Sequence, residues 1–162
     1  MSVLTRPTAV IAALAVTVAL ALGACGSTNS QVQTVGTAHA VIGFAAHAGL
    51  AFGAFKLFIL NPYHEGKLGL THPIKDAEAA AAAVFALHEL KVARSELVGH
   101  PHLARLIGVF GAVELAMSLL HSHLLHGSTA GISGAQSRIS TAGSQASAAG
   151  SPIHAVTGGL HL

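Results

Sequence analysis

The feature that most constrains the fold is a long apolar stretch without proline at residues 35–60. Its ionisable interruptions are few, namely His39, His47 and Lys56. A segment that is apolar on nearly all sides is typical of a central helix in a bundle or of a membrane-spanning helix. Its length is enough to cross a bilayer, but the three ionisable side chains favour the bundle. The stretch therefore predicts one long helix, which ends at Asn61-Pro62.

Two glycines within this predicted helix have a spacing that is typical of closely packed helices. Gly49-x-x-x-Gly53 places two positions without a side chain on one face, about one turn apart. Such a pair lets a neighbouring backbone come close. The motif predicts the close approach of another helix, from this chain or from a second copy. It thus indicates a route to helix-mediated self-association.

Two further helices are predicted, and each starts near a proline. Pro73 stands where a first helical residue would, and residues 73–98 are rich in alanine. After Pro101, apolar residues recur at spacings of three and four through residues 103–126. A glycine follows each segment and supplies a stop. Three helices with short connections predict an all-α, up-down-up helical bundle over residues 35–126.

The composition changes after this region. Gly, Ser and Ala dominate residues 127–162, and Arg138 is their one fixed charge. A segment with so little apolar bulk offers little burial to offset the entropy lost on ordering. We therefore expect residues 127–162 to be a mostly flexible, low-complexity tail, with a short patch at 153–156 that is able to dock locally.

The amino terminus has the pattern of an export signal. Arg6 supplies a positive charge, and the apolar run 9–22 follows it. This run is shorter than the roughly twenty residues that a spanning helix needs. Residues 1–24 are therefore predicted to be a signal peptide that is removed. Residues 25–34, which are mostly polar and uncharged, are predicted to be a short tether.

The end of this signal carries a more specific motif. It reads Leu22-Gly23-Ala24-Cys25, and Cys25 is the single cysteine of the chain, so its thiol cannot form an intramolecular disulfide. These four positions resemble the lipobox of bacterial lipoproteins. The resemblance implies cleavage before Cys25, a diacylglycerol on its thiol, and a lipid-anchored protein on the extracytoplasmic face of the cell membrane. The alternatives are an ordinary signal peptide cut near Ala24 and an uncleaved membrane anchor.

Composition argues against a nucleic-acid partner. Charged residues make up 9% of the chain, against about 25% in ordinary globular domains. Basic and acidic residues nearly balance, at 8 and 6. The sequence therefore has no basic stripe that could neutralise phosphates.

The sequence also lacks recognisable catalytic motifs. No glutamate is followed three residues later by histidine, as a helical di-iron site requires. His88-Glu89 begins a zinc-protease motif, but Val92 stands where its second histidine would be. A nucleophile elbow and a phosphate loop are also absent. We therefore expect no catalytic site.

Histidine is in excess, with 12 residues, all of them after the predicted signal. On an up-down-up bundle most of them gather at the two ends. The predicted groups are His39, His100 and His102 at one end, and His64, His72, His121, His123 and His126 at the other. Imidazole is a ligand for Cu, Zn and haem iron, so either group could bind a metal or haem. Histidines near the end of a helix also interact favourably with its carbonyl groups without any metal.

Three polar residues fall along the predicted helices rather than at their ends, namely His47, His88 and Glu114. An unpaired carboxylate at Glu114, in the most apolar helix, would be costly to bury. We therefore expect a contact from Glu114 to His47, His88 or Lys56 on a neighbouring helix.

Together these patterns predict a non-enzymatic, lipid-anchored, exported protein of the cell envelope with a structural or interaction role, without indicating a protein partner or a cofactor. Two alternatives remain open. One is a histidine-based protein that binds Cu, Zn or haem. The other is a small integral membrane protein in which residues 35–60 and 103–125 cross the bilayer.

Overall fold

The computed structural model describes the backbone of residues 28–158 and the side chains of residues 38–158; the predicted signal peptide and Cys25 lie outside them. Within this range the chain is helical and contains no β-strand, which confirms the all-α prediction. In chain order the elements are α1 (Thr28–Phe55), a π-helical turn (Lys56–Leu60), α2 (Asn61–His64), α3 (Pro73–Glu96), a 3₁₀ turn (Pro101–Leu103), α4 (Ala104–Leu125) and α5 (Ile132–Ala148).

The first helix is longer than predicted. α1 begins at Thr28, so residues 28–34 of the predicted tether, 25–34, are helical. Extending an existing helix adds one hydrogen bond for each residue that is ordered, and this favours helix even for polar residues. At the other end, the N–H of Asn61 donates to the carbonyl of Lys56. Pro62, the second residue of α2, has no N–H that would need a partner in this first turn. The π-helical turn thus carries the chain past the proline.

The helices pack in sequence, each antiparallel to the one before it. α1 packs on α3, α3 on α4, and α4 on α5, while the start of α5 also reaches the π-helical turn. The gap between α1 and α4 is filled by aromatic rings. Phe110 of α4 lies edge-on to Phe44, with 4.9 Å between ring centroids, and stacks against Phe52 at 6.2 Å. All three rings are buried and form the centre of one hydrophobic core.

A glycine ends α4 at the predicted position and contacts the loop that follows α2. Gly127 has a φ of +64°, and its N–H donates to the carbonyl of Leu124. The N–H of Ser128 donates to the carbonyl of His123, which completes a glycine-terminated helix end. A Cβ atom on Gly127 would lie 2.7 Å from the side chain of Leu70. The loop after α2 therefore packs directly against the end of α4.

The structure corrects the prediction of three helices followed by a mostly flexible tail. The predicted tail 127–162 contains α5, a fourth long helix of 17 residues. Its buried residues recur along one face and are Ile132, Ala135, Ala142 and Ala146. Alanine loses no side-chain entropy on burial, so a face of small residues needs little apolar bulk to hold the helix in place. The small apolar bulk of this segment therefore does not prevent it from forming an ordered helix.

The last described residues return to the first helix. We call residues 151–157 the strap; they have no regular secondary structure. The strap crosses α1 so closely that a Cβ atom on Gly49 would lie 2.5 Å from the carbonyl oxygen of His154, and one on Gly53 would overlap the carbonyl oxygen of Val156. The two glycines do admit a close backbone, but it is the strap and not a helix.

Candidate functional site

One partly buried polar contact joins α1 to α3. Nδ1 of His47 lies 2.6 Å from Oε2 of Glu89. A carboxylate can only accept, so the proton must be on Nδ1 of His47, which donates it. Glu89 is 8% exposed, while about a third of the His47 side chain reaches solvent. The pair therefore satisfies a buried carboxylate at a helix interface.

A second pair joins α3 to α4 and corrects the predicted partner of Glu114. Oε1 of Glu114 lies 3.2 Å from Nε of Arg94, in ion-pair contact. Glu114 is buried, as expected, but none of the predicted partners reaches it. His88 and Lys56 are exposed, and His47 is held by Glu89. The prediction was wrong because the sequence of α3 does not show which of its residues face α4, and Arg94 does.

Acidic side chains also organise the loop after α2. The buried Asp76, in the first turn of α3, accepts a hydrogen bond of 2.8 Å from the N–H of Gly69. Near the end of α2, Nζ of Lys67 lies 2.7 Å from Oε2 of Glu65. The hydrogen bond from Lys67, together with its charge, lowers the pKa of Glu65. The bond to Asp76 ties the loop to α3, whereas the exposed pair of Lys67 and Glu65 lies within the loop itself.

The first predicted histidine group is only partly assembled. His100 and His102 flank Pro101 in the α3–α4 connection, and their ring centroids are 6.1 Å apart. The contact is edge-on, which is an ordinary packing arrangement for two rings. His39, on α1, is exposed.

The second predicted histidine group lies at the opposite end, where the loop after α2 meets the end of α4. Three of its side chains have separate partners, while on α4 His121 is half-buried and His123 is exposed. His64 packs against the ring of its neighbour Tyr63, and Nδ1 of His72 lies 2.9 Å from Oγ1 of Thr71. Nδ1 of His126 donates to the carbonyl of Ser122 at 2.8 Å. Within the part of the chain that the structure describes, no three His, Cys, Asp or Glu residues are grouped so that they could hold a metal ion. Metal or haem binding by the histidines stays a prediction.

Among the residues that the structure describes, two helices are long and apolar enough to cross a membrane. They cover Ala38–His64 and Pro101–Leu125, and 50% and 39% of their most apolar windows are buried inside the bundle. The remaining positions include large apolar side chains that face outward, such as Ile42 on α1 and Leu115 and Leu119 on α4. The described surface therefore has apolar faces of the kind that contact a membrane or a partner protein.

Sequence reasoning missed three residues that the structure makes important, namely Glu89, Arg94 and Arg138. Glu89 and Arg94 stand among the other charges of α3, and their spacing alone does not show which neighbouring helix each one meets. Arg138 lies in a groove between α4 and α5, in the segment that was expected to be flexible. Its only local signal was that it is the single fixed charge of that segment.

Comparison of the chain with known protein families, with curated proteins and with solved structures returns no match.

Proposed function

We propose that the protein is exported, is anchored to the extracytoplasmic face of the cell membrane by lipid on Cys25, and has a structural or interaction role there. The observation that carries this proposal is the run Leu22-Gly23-Ala24-Cys25 behind an apolar segment, with Cys25 as the single cysteine. Two acyl chains at that thiol would give stable membrane attachment without a spanning helix.

The composition of α5 supports a peripheral bundle over an integral one. α5 packs on α4, one of the two helices apolar enough to cross a membrane. Its exposed positions carry amide, hydroxyl and guanidinium groups, among them Gln136, Arg138, Ser140 and Gln145. Polar groups in contact with lipid are expensive, and a central arginine is costly on every scale. An embedded bundle would place this whole face against hydrocarbon.

The pairing of buried ionisable groups supports a non-catalytic role. Catalytic acids and bases lie in clefts where they can reach a substrate. Here Glu89 is held by His47, and Glu114 contacts Arg94, each across a helix interface. These residues link helices to one another. We therefore expect the protein to act in the envelope through contacts made by the outer surface of the bundle.

The proposal is tested by the mass of the amino-terminal peptide of the mature protein. We expect it to begin at Cys25 and to carry a diacylglycerol. The Cys25→Ser variant should lose the lipid and either leave the membrane fraction or accumulate as the uncleaved precursor. Ser27→Ala, two residues away, is the matched control and should be lipidated normally. Processing before position 25 without lipid would overturn the proposal.

A second variant separates anchoring by lipid from membrane-spanning helices. Residues 1–25 are replaced by a cleavable signal peptide without a lipobox, so that the helical domain is exported without lipid. A peripheral bundle should then be recovered in the soluble fraction. If the domain stays in the membrane after an alkaline carbonate wash, α1 and α4 cross the bilayer and the integral alternative is correct.

A further inference from the structure

A groove of about 490 Å³ runs along the interface between α4 and α5. Its floor on the α4 side is apolar and is formed by Val109 and Ala112. The α5 side presents a row spaced by three or four residues, which places its members on one face of the helix. The row consists of Gly134, Arg138, Thr141 and Gln145. A volume of this size lies within the range of small-molecule sites.

The electrostatic character of this groove is positive. The chain has no Asp or Glu from Leu115 to its end, so no carboxylate of α5 neutralises Arg138. The nearest acidic residue on α4, Glu114, is buried and contacts Arg94 of α3. A second guanidinium lies at one end of the interface, where Arg105 of α4 donates to the carbonyl of Ala148 at 3.3 Å. The groove thus combines an apolar floor with an unneutralised guanidinium.

We propose that the α4–α5 groove binds a small anionic amphiphile, with its phosphate or carboxylate on Arg138 and its hydrocarbon on Val109 and Ala112. Guanidinium is the side-chain group best suited to such heads, because its planar fork matches two oxygens at once. The hydroxyl of Thr141 and the amide of Gln145 add hydrogen-bonding groups along the same row.

The apolar floor is what selects an amphiphile over a simple anion. Arg138 is exposed, so its charge binds an anion only weakly unless an adjoining apolar contact excludes water from the pair. Burying a short alkyl chain on Val109 and Ala112 adds the hydrophobic contribution that an inorganic ion lacks. The ligand must therefore carry both parts. This inference concerns the helical domain and stands independently of lipid on Cys25.

The test is calorimetric titration of the full chain, held in nanodiscs of zwitterionic phosphatidylcholine, with hexyl phosphate. We expect saturable binding, while inorganic phosphate and hexanol, which each supply half of the ligand, bind at least about tenfold more weakly. Equal binding of inorganic phosphate, or the absence of binding by hexyl phosphate at millimolar concentration, would overturn the proposal.

Two variants locate the binding, and each has a matched control. Arg138→Gln should weaken binding of hexyl phosphate roughly tenfold, whereas Lys91→Gln, which removes an exposed charge on α3, should not. Gly134→Leu should block the groove, because a Cβ atom there meets open space and no backbone. Gly143→Leu, also in open space on α5 but outside the groove, should bind normally. Unchanged binding by both Arg138→Gln and Gly134→Leu would place the ligand elsewhere and refute the proposal.

A further titration distinguishes two natural sources of such a ligand, namely the headgroups of the surrounding membrane and a free amphiphile. Part of the phosphatidylcholine in the nanodisc is replaced by phosphatidylglycerol. If hexyl phosphate binding is then lost in the wild type, the groove takes headgroups from the surrounding membrane. If binding is unchanged, the groove takes a free amphiphile.

Discussion

The backbone N–H of Val156 donates a hydrogen bond to the carbonyl oxygen of Gly49, with 2.9 Å between the two atoms. Gly49 lies in the last third of α1, and its carbonyl can accept this bond beside the helical one because the oxygen has two lone pairs. The bond attaches the strap, at the far end of the described chain, to the first helix. The strap therefore links α5 back to α1 across the outside of the bundle.

The first prediction concerns Gly53, where the strap is closest. Gly53→Ala places a Cβ atom in the position of the Val156 carbonyl, so we expect the strap to leave α1. Hydrogen exchange at the Val156 amide should then rise towards that of an unprotected amide. The control is Gly108→Ala in α4, whose Cβ meets open space. It should stabilise the protein by about 0.5–1 kcal/mol through helix propensity alone. Unchanged protection of Val156 in the Gly53→Ala variant would contradict the strap contact.

The second prediction tests whether α5 is part of the folded domain. Ile132 is completely buried at the start of α5, so Ile132→Ala should lower the free energy of unfolding by about 2–5 kcal/mol. If that variant does not fold, Ile132→Val should still cost about 0.5–1.5 kcal/mol. Ser140→Ala, on the exposed face, should change the free energy by less than about 0.5 kcal/mol. Urea denaturation measures all three. A neutral Ile132→Ala would restore the flexible-tail prediction.

The third prediction addresses the contact between His47 and Glu89. His47→Ala leaves a buried carboxylate without its donor, and we expect a loss of about 1–3 kcal/mol of stability. A double-mutant cycle with Glu89→Ala should give a coupling energy of at least about 0.5 kcal/mol. The matched control is the exposed pair of Lys75 and Glu78 on α3, for which we expect about 0.2–0.5 kcal/mol. Strictly additive effects at His47 and Glu89 would show that the two side chains do not interact.

The fourth prediction concerns the aromatic centre of the core. Phe110 contacts both Phe44 and Phe52, so Phe110→Ala should cost about 3–5 kcal/mol. Phe110→Leu retains most of the apolar volume and should cost less. Leu119→Ala, on the same helix but 57% exposed, should be close to neutral. Thermal unfolding followed by circular dichroism distinguishes these outcomes. A Phe110→Ala variant as stable as Leu119→Ala would contradict the assigned core.

Glu114 shows where prediction from sequence stops. The position of Glu114 in an apolar helix was enough to predict that it is buried and needs a partner. The choice of Arg94 over His47 depended on which face of α3 meets α4. That face is set by the packing of alanines on α3, and the rotation of a helix about its axis is not determined by its own sequence when apolar residues lie on several sides.

The sequence by itself determined the helical class, the three prolines at which helices start or change direction, and the glycine that ends α4. These features are local, because they depend on backbone dihedral angles and on hydrogen bonds between residues a few positions apart. The run Leu22-Gly23-Ala24-Cys25, on which the proposal of lipid attachment rests, is likewise a pattern of positions along the chain.

Only the tertiary structure decided that α5 is a helix of the bundle, that Gly49 and Gly53 receive the strap, and that His47 contacts Glu89. Each depends on residues distant in sequence. Burial against a preformed surface orders α5, although its alanines and serines have little apolar bulk of their own. The contact with the strap could not be predicted for the same reason. A pair of glycines indicates that a backbone can come close, but it does not indicate which backbone does.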